Sequence, residues 1–86
     1  MDAIKQWKQD NVIFLMKVLE KIDQLSKRAD RDKKIMHFLF SLYLNSQRDG
    51  MLERCEYIRE FIDKYSFYGL RILKSEIKQS IAEFRA

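Results

Sequence analysis

His37 and Cys55 are the two side chains with the widest chemical repertoire, and the chain has one of each. A thiol acts as a nucleophile when a base lies within hydrogen-bond reach. The two residues are 18 positions apart, which would permit contact between neighbouring helices. The plainer reading is a packed core thiol and an imidazole at the edge of the core. Zinc takes about four ligands, more than one Cys and one His supply. A glycine-rich phosphate loop is missing from the sequence. The expectation is therefore a non-enzyme with no metal site, no cofactor and no small-molecule substrate.

Carboxylates come next. Glu53, Glu56, Glu60 and Asp63 follow one another at offsets of three, four and three, which sets them on one face of a helix. Di-iron bundles pair such acids with a Glu-x-x-His pattern on separate helices, and that pattern does not occur. A solvated acidic face, partly neutralised by Arg59 and Lys64, is the ordinary reading. The alternative is a docking surface for a basic partner through Glu53, Glu56 and Glu60.

Cations are segregated along the chain. Residues 25–34 hold Lys27, Arg28, Arg31, Lys33 and Lys34 against Asp30 and Asp32. Arg71, Lys74 and Lys78 are spaced for one helix face, with Arg85 farther along. Residues 35–64 hold four basic and five acidic side chains. Residues 25–34 and 65–86 thus carry net charges of +3 and +2, which the −1 of residues 35–64 reduces to the whole chain's +4. If these share a side of the molecule, they form one surface for phosphate contacts. Tyr65, Phe67 and Tyr68, beside Arg71, would then be stacking platforms for a single strand. Their ordinary fate is to fill a corner of the core.

Gly50 invites a helix-turn-helix reading. Asp49 stands where that motif wants a buried apolar residue, and the following helix is acidic, so phosphates would repel it. The motif is rejected. Trp7 lies among Lys5, Gln6, Lys8 and Gln9 and is a candidate interface anchor.

The elements that position these residues are helical. With no proline and two glycines, the chain lacks the punctuation that a sheet of this length needs. Helix 1 is expected over 3–25 with Asp2 as N-cap and a stripe of Ile4, Trp7, Asn11, Phe14, Val18, Ile22 and Leu25. Val12, Leu15, Met16 and Leu19 widen that stripe, so helix 1 should touch more than one neighbour. Helix 2 is expected over 33–47, capped by Asp30 or Asp32, and as the most apolar segment it should be central to the core. A buried strand over 38–44 is its rival, but no second run exists to pair with it.

Gly50 suits the left-handed position after a helix. Helix 3 should run over 51–65 with Leu52, Cys55, Ile58, Phe61, Ile62 and Tyr65 inward. Helix 4 should run over 67–84 after a break at Ser66 or Gly69, with Leu70, Leu73, Ile77, Ile81 and Phe84 inward.

The expected fold is all-α: one domain over 1–86, a small antiparallel bundle of three to four helices. Three result if helices 2 and 3 merge through Gly50. A single cysteine and a charged, polar start to the chain point to an intracellular setting, cytoplasm or nucleus. The longest apolar run is too short to span a bilayer.

The expected function is protein–protein interaction: a small adaptor, subunit or inhibitor of the accessory kind carried by phages, viruses or plasmids. It would bind another protein, itself, or both as a homo-oligomer. The alternative is nucleic-acid binding through 27–34 and 71–85.

Overall fold

The computed structural model describes residues 2–86. These form four helices and no strand: α1 (Ala3–Leu25), α2 (Arg31–Arg48), α3 (Leu52–Tyr68) and α4 (Leu70–Arg85). Asp2 starts α1, its carboxylate accepting the Ile4 N–H at 3.0 Å. That satisfies one of the donors every helix start leaves free. Asp30 holds the corresponding place before α2 but does not cap it. Its carboxylate instead accepts from Arg28 Nε at 3.0 Å. Asp32 is likewise diverted, accepting the Tyr65 hydroxyl hydrogen bond from α3.

Gly50 does break the chain, so the merged three-helix form does not arise. Its φ is +73°. The Met51 N–H reaches the Ser46 carbonyl at 2.9 Å and the Gly50 N–H reaches the Gln47 carbonyl at 3.1 Å. These two bonds are the Schellman closure of a helix end. Gly69 is the only residue between α3 and α4. Its N–H binds the Tyr65 carbonyl at 3.0 Å, and its own carbonyl accepts from Leu73 at 3.1 Å, starting the next helix. Phe67 and Tyr68 therefore end α3 and do not begin α4.

The helices run alternately up and down. Asp32 of α2 meets Tyr65 of α3, and Tyr43 meets Cys55. Tyr57 of α3 packs its ring 5.9 Å from that of Phe84 of α4. Trp7 of α1 lies 5.3 Å from the same Phe84 ring, while Asp23 pairs with Lys74. α1 packs mainly on α4 and α2 mainly on α3; α1 and α2 touch only lightly.

One core joins Leu15, Val18 and Ile22 of α1, Ile35 and Leu39 of α2, Ile58, Phe61, Ile62 and Tyr65 of α3, and Leu73, Ile77 and Ile81 of α4. Two expectations need correction here. α2, the most apolar segment, is not the centre: its only buried apolar side chains are Ile35 and Leu39, and Phe40 and Leu44 face outward. α3 and α4 are the inner pair: α3 packs on α2 and α4, α4 packs on α1 and α3, and α3 buries five side chains including Phe61. In α1 the expected stripe holds at Asn11, Val18 and Ile22, which are buried, and fails at its first residue, Ile4. Leu15 is fully buried, whereas Ile4 is 67% exposed because its turn lies at the very start of the helix.

A Cβ added at Gly50 or Gly69 would meet nothing within 4 Å, so the backbone alone decides what each position accepts. Gly50 has the φ that Asn also visits. Gly69, at φ +89° and ψ −170°, lies in a region essentially confined to glycine. Gly50→Asn should change stability by less than about 1 kcal/mol, and Gly69→Asn should cost about 1–3 kcal/mol. Urea unfolding of both variants checks this, and equal losses would contradict it.

Candidate functional site

Cys55 is buried on α3, with its Sγ 3.8 Å from the Tyr43 carbonyl oxygen of α2. His37 is exposed, against the expectation of a core-edge imidazole. It lies six residues before Tyr43 on the same helix, roughly 9 Å along the axis. The fold therefore does not bring the imidazole onto the thiol. Among the described residues no three His, Cys, Asp or Glu side chains are grouped to hold a metal ion. No helix is long and apolar enough to cross a membrane.

At the Trp7 end, a buried polar pair organises the packing. The Asn11 Oδ1 accepts the Tyr57 hydroxyl at 2.7 Å, and its Nδ2 donates to the Trp7 carbonyl at 3.0 Å. Asn11 is buried and would be costly without these partners. Trp7 leans edge-on against Phe84 and keeps 41% of its surface exposed. Trp7, Met51, Leu52 and Glu53 border one concavity, which brings two of the residues singled out from sequence together. Glu56 and Glu60 do not join them; they lie exposed farther along α3.

At the opposite end, the basic segments meet. The Lys74 ammonium sits 2.5 Å from Asp23 of α1, so the start of α4 adjoins the end of α1 and the connection that carries Lys27 and Arg28. Lys27, Arg28, Arg31, Lys33, Lys34 and Arg71 are exposed there. Arg28 is engaged by Asp30 and Lys74 by Asp23. Lys78 and Arg85 continue along α4 toward the Trp7 end, where the Arg85 guanidinium reaches Met16 Sδ at 3.5 Å. Tyr65 fills the core corner. Phe67 and Tyr68 do not: they are 79% and 66% exposed, their rings 6.4 Å apart.

Between the two ends runs a feature the sequence reading recognised only in part. Two adjoining concavities follow the seam of α1 and α4, and a third, lined by α1 alone, adjoins them through Met16 and Leu19. Val12, Met16, Leu19, Ile81 and Ala82 supply the apolar floor. Ile13 extends it onto the outer side of α1. The surplus of apolar positions on α1 was the signal. What it lacked was the direction, since the same excess could have served α2. Compared with known proteins, the chain matches no family model, no curated protein and no solved structure at a significant level.

Tyr57 and Tyr65 report on the packing at the two ends. Burial pushes each phenol up from 10 to about 12, helped at Tyr65 by the hydrogen bond to Asp32. Below about pH 10 both folded and unfolded chains keep these protons, and the contribution to stability is whole. Between about pH 10 and 12 the unfolded chain releases them while the folded chain holds them, so stability falls as pH rises. Guanidinium unfolding over this range should show that decline, and Tyr57→Phe with Tyr65→Phe should flatten it. An identical slope in the double variant would contradict the assignment.

Proposed function

We propose that this chain is a protein–protein interaction module, a small adaptor, subunit or inhibitor, and that the α1–α4 seam is its docking surface. The observation that supports the reading is an apolar strip on the outer side of the core, where half-buried Val12 and Leu19 continue into exposed Ile13 and Met16. Leu15, Ile22, Leu73 and Ile77 are fully buried beneath the seam, while Ile13 and Met16 stand 46% and 49% exposed above it. Isolated exposed apolar residues are ordinary, but a contiguous strip is the usual mark of an interface. Trp7, with Met51 and Leu52, offers a second apolar patch at one end of the bundle.

A photo-reactive benzoylphenylalanine at position 16 tests this in the cells that make the protein. It should yield one defined adduct, with a second protein or a second copy of this chain. The same group at Glu56 should yield none. No adduct from any seam position in a folded protein would defeat the proposal.

Nucleic-acid binding is a second reading, favoured by one observation: the two basic segments adjoin through the Lys74–Asp23 contact, with Phe67 and Tyr68 exposed at the same end. On this reading log affinity for a single-stranded oligonucleotide falls against log salt with a slope of roughly −0.7 per phosphate contact. Lys33→Glu with Arg71→Glu should lower affinity at least about tenfold. Binding unchanged by salt and by both substitutions would remove this reading.

A further inference from the structure

We infer that the α1–α4 seam receives an acidic amphipathic helix, a partner segment with one apolar stripe flanked by Asp and Glu. The inference rests on the docking reading above and adds the chemistry of the partner. A groove with an apolar floor between two parallel walls fits a helix that lays its apolar face down. The floor extends from Val12 to Leu19 on α1 and is matched by Ile81 and Ala82 on α4. With the flanking turns that is roughly 15 Å, about three helical turns of a partner.

The rims of the seam carry a surplus of positive charge. Lys5 and Lys8 border it on α1, Lys78 and Arg85 on α4, and Lys17 lies beside Met16. Three carboxylates also border it: Asp2, Glu20 and Asp23. Asp2 keeps its charge while capping Ile4, Lys8 donates to the Ala86 carbonyl, and Asp23 is paired with Lys74, so Lys5, Lys8, Lys17, Lys78 and Arg85 still outnumber Asp2 and Glu20. A partner helix with carboxylates beside its apolar stripe would place them against these cations. A basic partner would meet like charge, which costs affinity and slows encounter.

The chain's own acidic helix is a poor occupant. The outward residues of α3 between Leu52 and Phe67 include Glu56, Glu60 and Asp63, with no apolar stripe to fill the floor. The charge would fit and the burial would not. Duplex or single-stranded nucleic acid would use the cations but leave Met16 and Leu19 against a polar backbone.

Two fluorescein-labelled peptides of roughly 18 residues, long enough to hold a helix, test the inference. Both carry leucines at helical spacing; glutamates flank the stripe in one and lysines in the other. Anisotropy titrations should show the glutamate peptide binding at least about tenfold tighter, with the gap closing in high salt. Lys78→Glu with Arg85→Glu should weaken it at least about tenfold, and Met16→Glu likewise. All three positions are exposed, and circular dichroism verifies that the variants remain folded.

Equal binding of the two peptides would overturn the acidic partner while leaving the seam a docking site. Binding of neither would also overturn it, and the cross-linking result at position 16 would then decide the docking reading separately. A single-stranded oligonucleotide that binds through Lys78 and Arg85, indifferent to Met16→Glu, would assign the cations to phosphate and overturn the inference.

Discussion

Ile58 and Phe61 have almost no exposed surface, and they sit on α3, which with α4 forms the inner pair of helices, each packed extensively on two others. α3 meets α2 along one flank and α4 along the other. Its buried stripe is the contact through which the two hairpin-like halves become one core. Burying a side chain of this size is worth roughly 1.5–3 kcal/mol, and α3 supplies several. Short helices such as these are marginal alone. Their persistence depends on docking against one another, and the α3–α4 contact joins the α2–α3 and α1–α4 pairs.

The polar contacts inside the bundle follow from this arrangement. Asn11 and Tyr57 are held in apolar surroundings, so they satisfy one another. Tyr65 reaches to Asp32 for the same reason, which ties the end of α3 to the start of α2. Both contacts fix register along the helix axes, where apolar packing alone discriminates weakly. The surface ion pairs Arg28–Asp30 and Lys74–Asp23 add little stability by themselves. Lys74–Asp23 matters for its position: it neutralises a carboxylate beside the α1–α4 seam and leaves the neighbouring cations in excess.

Much of the architecture was legible from residue types. Helical spacing located all four elements, Asp2 marked the first start, and Gly50 and Gly69 marked two breaks. α2 was read as central because it is the most apolar, but apolarity says how much a helix can bury and not how many neighbours it has. Phe40 and Leu44 are outward because α2 has only one extensive partner. Asp30 and Asp32 are both cap-capable by type, but the Arg28 guanidinium claims the Asp30 carboxylate and the Tyr65 hydroxyl claims that of Asp32. Of the site residues, Trp7 and Glu53 adjoin, the basic segments meet at one end, and Glu56 and Glu60 stand apart on the outer side of α3.

What the sequence alone determined is local: which residues are helical, where helices stop, and that α1 carries more apolar surface than one seam consumes. These follow from backbone geometry and side-chain period, which act over a few residues. Only the tertiary structure decided which flank of α1 remains open. Both flanks carry apolar residues, and the choice was made by where α4 returns after its reversal at Gly69. That return covers Leu15 and Ile22, leaves Ile13 and Met16 uncovered, and aligns Lys78 and Arg85 beside them, a juxtaposition of residues more than sixty positions apart.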